Sequence, residues 1–192
     1  MKTASLLFSA ALSASFFPAP AVHAQVPGFT SLVEFTGTSG SKIGYRPMAT
    51  LLKASDGDFY GTTVRGGTAD VGSIFKVTAG GTFTPLRSFT GAAQPTGGIY
   101  PVGGLAENSD GFLYGTTSGD YTSTPPSYGI AFKVSANGTT FSNLLFFTGN
   151  TTPNKGTQPY ASLVRASDGN FYGTTQYGGT GTANYGTIFR LT

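Results

Sequence analysis

The chain has 192 residues, of which only 10% are charged, and its formal net charge is +3. Charges this sparse do not form the basic patch that binds nucleic acid, so no nucleic-acid partner is predicted. The sequence contains no cysteine, which excludes disulfides and thiolate ligands, and we predict neither a metal site nor a cofactor.

The first 24 residues have the pattern of a secretory signal peptide. Lys2 supplies a basic start, an apolar run follows, and small residues stand at Val22 and Ala24. The run is shorter than the roughly 20 residues of a membrane span. We therefore predict cleavage after Ala24 and a secreted chain, extracellular or periplasmic, without a membrane span. Cleavage removes His23, the single histidine, which excludes Ser-His-Asp and Cys-His catalysis.

The rest of the chain, residues 25–192, reads as one repeat domain. A decapeptide occurs three times, as ASDGDFYGTT (54–63), NSDGFLYGTT (108–117) and ASDGNFYGTT (166–175). A proline lies nine residues before each aspartate, and each decapeptide is followed by a G-[STI]-[IA]-F-[KR] piece. An F-T-G piece precedes each proline. The repeats span approximately 38–91, 92–149 and 150–192, with 25–37 completing the third.

Each repeat is predicted to contain four short strands. The runs are rich in Val, Ile, Phe, Tyr and Thr and are bounded by Gly, Asn and Asp, and none has a helical period. The prediction is an all-β, β-propeller-like fold of three four-stranded repeats. The N-terminal FTSLVEF segment would supply the fourth strand of the third repeat, a closure that removes sheet edges.

Three repeats are few for a propeller, which typically has four to eight blades. Three arrangements of the repeats therefore stay open. The chain could form a three-bladed ring, it could form a β-trefoil-like threefold barrel, or two copies could pool their blades as a homodimer with a six-bladed ring.

The Asp-Gly pair in the decapeptide predicts a hairpin turn of two residues, type I′. This turn would pair Ser55 with Asp58 and place Tyr60 opposite Lys53. A calcium loop at Asp56 and Asp58 is the functional alternative, but such loops need more oxygen ligands than these positions supply. We therefore interpret the decapeptide as scaffold.

The proline, the S-D-G-x-[FL]-Y-G-T-T core, G-x-x-F-[KR] and F-T-G together resemble the GloVer tandem repeat of exported bacterial choice-of-anchor proteins. The resemblance covers essentially the whole of residues 25–192. It implies secretion and propeller-like repeats and implies no established activity.

Function is expected in the variable loops that follow each Y-G-T-T, because loops on a rigid scaffold commonly carry binding residues. We predict a secreted, non-enzymatic protein with a structural role or an extracellular binding role, with polysaccharide or extracellular protein as partner and a glycan or peptide as ligand. The candidate binding residues are Tyr121, Tyr128, Tyr177, Tyr185, Asn184 and Arg65. The alternative is a carboxylate-dependent glycoside hydrolase or lyase, although no convincing carboxylate pair emerges.

Overall fold

The computed structural model describes residues 28–91, 98–120, 126–151, 156–179 and 184–192. Ser31–Thr192 form one compact unit. The predicted signal peptide, residues 1–24, lies outside the described residues. Within the described ranges the protein is all-β, as predicted, and contains no helix.

The strands form three antiparallel sheets of four, four and three strands, in the orders β1-β2-β3-β4, β5-β6-β7-β8 and β11-β10-β9. Each sheet comes from one repeat. The strands are β1 Leu52–Lys53, β2 Phe59–Thr63, β3 Ser73–Val77, β4 Phe83–Ser88, β5 Ala106–Glu107, β6 Phe112–Thr117, β7 Ile130–Ser135, β8 Phe141–Phe146, β9 Val164–Arg165, β10 Phe171–Thr175 and β11 Thr187–Leu191.

In each sheet an aromatic ring lies directly against the glycine of Y-G-T-T. A Cβ added to Gly115 would lie 2.7 Å from Phe132 Cζ and 2.9 Å from Leu105 Cδ2. Gly61 and Gly173 meet the matching phenylalanine and leucine of their own repeats in the same way. The glycine therefore leaves room for the ring of G-x-x-F, which explains why both pieces recur together.

The hairpin register differs from the prediction of a two-residue turn, which is wrong. Lys53 pairs with Phe59 and Leu52 with Tyr60, while Ala54 N donates to the carbonyl of Asp58 (2.9 Å). Three residues therefore form the loop, ending at Gly57 with φ 88°, the geometry of a type I turn followed by a left-handed glycine. The tyrosines consequently lie opposite Leu52, Ala106 and Val164 and not opposite the charged residues.

Successive sheets are joined by the phenylalanine of F-T-G. Phe89 follows β4 but packs edge-on against Phe132 of the second sheet, with ring centroids 5.5 Å apart. Phe147 follows β8 and packs against Phe189 of the third sheet at 5.1 Å. Each outer strand thus delivers a ring into the core of the next sheet.

The shortest strands, β1, β5 and β9, form one edge of each sheet, and β4 and β8 form the opposite edge. β5 and β9 lie close together, and Gly104 N donates to Ser162 Oγ (2.8 Å) just before them. Short inner strands that meet, with longer strands outside, are the arrangement of propeller blades. The described residues form no closed barrel, so the β-trefoil-like alternative is not adopted.

The predicted closure of the third sheet by the N-terminal segment is not formed. Residues 31–36 are assigned to no strand, and β11 pairs with β10 alone among the described strands. Phe35 packs on the first sheet, 5.2 Å from Phe75 and 5.8 Å from Phe83 between ring centroids. In one copy of the chain the segment therefore contacts the first sheet and does not pair with β11.

Candidate functional site

The structure brings three of the six predicted binding residues together. Tyr128, Tyr177 and Asn184 line one cavity of about 340 Å³ beside the third sheet. Arg65 and Tyr185 are not among its lining residues, and Tyr121 lies outside the described residues. The full lining consists of Tyr128, Thr148, Gly149, Asn150, Thr151, Thr157, Tyr177 and Asn184.

The two tyrosines enter the cavity from different repeats. Tyr177 lies two residues after the end of β10. It forms an antiparallel bridge with Thr157, whose N–H donates to the carbonyl of Tyr177 (3.0 Å). Tyr128 precedes β7, and its carbonyl accepts a hydrogen bond from Gln158 N (3.3 Å). The cavity therefore lies where the second and third repeats meet.

Asn184 shapes the loop that precedes β11. Its Oδ1 accepts a hydrogen bond from Gly178 N (2.5 Å), and Gly186 N donates to the carbonyl of Gly178 (2.9 Å). Asp70 makes the equivalent bond to Gly66 N in the first repeat (2.9 Å). The hydrogen bond from Gly178 N uses the amide oxygen of Asn184. The amide nitrogen of Asn184 takes no part in this bond.

Thr157 is a cavity residue that the sequence interpretation did not identify. It is 7% exposed, and its Oγ1 has no hydrogen-bond partner among the described residues. A buried hydroxyl without a partner costs about 1–3 kcal/mol, so it needs an explanation, such as a water or another molecule that supplies the partner. No motif distinguishes this threonine in the sequence, because only the fold places it beside Tyr177.

Arg65 has a structural role in the first repeat. Its guanidinium lies 4.3 Å from the centre of the Tyr100 ring, and Nη1 is 3.7 Å from Asp70 Oδ2. It therefore ties the first variable loop to the start of the second repeat. Tyr185, by contrast, is 92% exposed.

The aspartates of the decapeptides are engaged by their own hairpins. The hydroxyls of Tyr60, Tyr114 and Tyr172 donate to the aspartate four residues earlier, at 2.7, 2.9 and 2.8 Å respectively. Each aspartate also accepts the N–H two residues further on. This is an aspartate-centred turn locked by a tyrosine, and it accounts for the S-D-G-x-[FL]-Y spacing.

A lysine of the neighbouring strand β3 also pairs with the aspartates of the first of these hairpins. Burial, together with the hydrogen bond to Asp56, raises the pKa of Tyr60 to about 12, while the same bond lowers the pKa of Asp56. The Lys76 ammonium lies 2.5 Å from Asp58 and 3.4 Å from Asp56. The position considered for calcium is therefore held by a lysine, and no group of three or more His, Cys, Asp or Glu side chains suited to a metal ion occurs in the described ranges.

Glu107 serves the packing of two sheets. Its carboxylate accepts hydrogen bonds from the backbone N–H (2.8 Å) and the hydroxyl (2.6 Å) of Ser55 in the first repeat. At the next sheet contact, Arg165 donates to Asn108 (2.8 Å) and to Ser109 (3.3 Å). These polar residues fix neighbouring hairpins against each other.

The fold and the cavity together define a class: a β-sheet repeat protein with propeller-like blades and a loop cavity between two of them. Over residues 22–192 the sequence matches the Gloeobacter/Verrucomicrobia repeat, and the chain belongs to that family. The predicted GloVer repeat is thereby confirmed. No curated protein matches the chain. None of the described residues belongs to a helix of the length and apolarity that a bilayer crossing requires.

Proposed function

We propose that this protein is a non-enzymatic, secreted repeat protein that binds a glycan in the cavity between its second and third repeats. The unpartnered, buried Thr157 Oγ1 carries the proposal. A sugar hydroxyl can donate to it and accept from a neighbouring group at the same time, which matches a site built of hydroxyls and amides.

The remaining lining residues support the same ligand class. Tyr128 and Tyr177 contribute aromatic rings, and Asn150 and Asn184 contribute amide groups. The hydroxyls of Thr148 and Thr151 donate to each other's carbonyls and can still accept a hydrogen bond. A volume of about 340 Å³ lies at the small end of ligand sites, which run from about 300 to 1,000 Å³. A terminal sugar or a short stretch of a polysaccharide suits such a cavity better than a folded protein partner.

No carboxylate occurs among the described residues that line the cavity. Glycoside hydrolysis uses two carboxyl groups on either side of the scissile bond, and the decapeptide aspartates are occupied by tyrosine hydroxyls. These observations favour binding over hydrolysis at this site. Secretion is proposed from the N-terminal pattern of residues 1–24, and a secreted protein would meet polysaccharides outside the cell.

The proposal is tested by screening the protein on a glycan array and measuring the best ligand by calorimetry. Thr157→Val keeps the side-chain shape but removes the hydroxyl, so we expect binding to weaken about tenfold, as for the loss of one hydrogen bond of about 1.4 kcal/mol. The melting temperature should stay equal or rise, because the variant no longer buries an unpartnered hydroxyl.

Tyr185→Ala is the matched control for Tyr177→Ala. Both remove a tyrosine from the same loop region, but only Tyr177 lines the cavity. Binding should be lost in Tyr177→Ala and retained in Tyr185→Ala. Retention of no glycan by the wild-type protein, or equal binding by Thr157→Val, would contradict the proposal, and capture of a peptide instead would replace the ligand class.

A further inference from the structure

The two sheet-to-sheet junctions inside the chain are built alike. At each junction a phenylalanine of F-T-G packs edge-on against the next sheet. The residue before the proline of each repeat then donates its N–H to a carbonyl of the preceding repeat. Tyr100 N donates to Val71 O (2.8 Å), and Gln158 N donates to Tyr128 O (3.3 Å). Both donors have positive φ, 58° and 56°, so an unusual backbone conformation recurs at the same place.

The N-terminal part of the compact unit already has the shape of one half of such a junction. Phe35 packs on Phe75 as Phe89 packs on Phe132. The carbonyl of Leu32 lies 3.2 Å from a Cβ built on Gly81, and that of Leu86 in β4 lies 2.7 Å from one built on Gly138. Residues 31–35 therefore occupy the place that the outer strand of a preceding sheet would take.

Further residues at this end are positioned as at the internal junctions but are exposed. Arg46 has φ 59°, matching Tyr100 and Gln158. Pro47 is exposed, whereas its counterparts Pro101 and Pro159 are less than 2% exposed. We call residues 31–36 and 45–51 the head.

The far side of the third sheet is the other half of the junction. Ile188 in β11 is 82% exposed, whereas Ile74, at the same position in β3, is fully buried. Thr174 is exposed, whereas Thr62 and Thr116 are buried and donate to carbonyls of the next repeat, Gly103 and Pro159. We call β9 to β11 and the loop 184–186 the tail.

We propose that the tail of one copy binds the head of a second copy, and that two such junctions close a ring of two chains. Residues 31–36 of one chain would become the missing fourth strand beside β11 of the other. The two copies contribute six sheets, which falls within the four to eight of closed propellers, whereas one copy contributes three. The closed arrangement gives the open edge of β11 a partner strand in both copies.

The register of this intermolecular pairing follows from the internal sheets. Ile74 pairs with Arg87, and Ala131 pairs with Leu145. Arg87 and Leu145 each lie two residues before the phenylalanine of an F-T-G piece. The corresponding pair across the proposed junction is Ile188 of one chain and Val33 of the other. Arg46 N would then donate to Tyr185 O, as Tyr100 N donates to Val71 O.

Cysteine crosslinking tests the register, since the chain has no cysteine of its own. Val33→Cys and Ile188→Cys in one chain should form a disulfide under mild oxidation, because directly opposed residues bring their Cβ atoms close enough. The expected product has twice the mass of the chain on a non-reducing gel. Val33→Cys combined with Thr140→Cys, an exposed position between β7 and β8, should remain uncrosslinked.

Every other outcome overturns the proposal. A disulfide within a single chain would mean that the chain closes on itself, free thiols would mean that the surfaces do not meet, and a ladder of higher multiples would mean an open chain of copies. Light scattering provides the second test, with a doubled mass expected for the wild type. Ile188→Lys changes an exposed side chain and should halve this mass while leaving the circular dichroism spectrum unchanged, and Thr140→Lys should not.

Discussion

At the scale of single residues, the decapeptide is a turn in which a tyrosine hydroxyl and a backbone N–H share one aspartate. The tyrosine of the first repeat is fully buried, whereas that of the third is not. Burial strengthens the effect of a hydrogen bond on a charged group because solvent competes less for it. The three copies of one motif are therefore expected to differ in their contribution to stability.

Tyr60→Phe should lower stability at neutral pH by about 1 kcal/mol, because the Asp56 carboxylate loses its hydroxyl donor. The pKa of Asp56 lies below its ordinary value of 3.8 in the folded protein, so the unfolded chain binds more protons near pH 4. The stabilisation is present above that pH and is lost as the pH falls through the folded pKa. Denaturation by urea at pH 7 and at pH 3 should show the difference between wild type and variant shrinking on acidification.

Tyr172→Phe is the control for this prediction, because the same hydroxyl-aspartate bond exists there but is exposed. Its effect should be smaller at both pH values. An equal loss at pH 7 and pH 3 for Tyr60→Phe would show that the hydroxyl stabilises the fold independently of the ionised Asp56.

At the scale of strands and sheets, each repeat depends on a glycine beneath an aromatic ring. Gly115 has ordinary strand dihedrals, so its requirement is steric and not conformational. Because the sheet core is packed as densely as an organic crystal, one added methyl group must displace Phe132 or Leu105. The glycine of the repeat motif is thus required by the packing of the core.

Gly115→Ala should destabilise the protein by about 1–3 kcal/mol, the usual cost of overpacking. Gly80→Ala should change the stability by less than about 0.5 kcal/mol, because a Cβ there meets only Thr78 Oγ1 at 3.8 Å. Thermal unfolding followed by circular dichroism measures both. Equal melting temperatures for the two variants would show that Phe132 does not rest on Gly115 in solution.

The strands and their grouping into sheets could be predicted from the sequence, because short runs of aromatic and β-branched residues between glycines are a strong strand signal. The hairpin register could not, since Asp-Gly is compatible with both a two-residue and a three-residue loop. The structure has the three-residue loop, in which Asp56 Oδ1 accepts a hydrogen bond from Asp58 N. The grouping of Tyr128 with Tyr177 followed from their places in the variable loops of successive repeats, whereas Thr157 required the pairing of the strands to be known.

At the scale of the whole molecule, the repeats form a row whose two ends differ in what they lack. The first sheet has a strand-like segment and a packed phenylalanine on its near side, and the third sheet has an open strand on its far side. The sequence predicted the pairing of these two segments but not that one copy fails to bring them together, because the direction in which successive sheets turn is a property of their packing. The self-association that we propose would resolve this conflict between the repeat pattern and the observed contacts.

Amide hydrogen exchange of residues 31–36 in the full chain tests this account most directly. If these residues are the fourth strand of a neighbour's third sheet, they should be protected together with residues 187–191, and Ile188→Lys should remove the protection of residues 31–36. Exchange of residues 31–36 at the rate of an unstructured peptide in the wild type, with no change in Ile188→Lys, would contradict it.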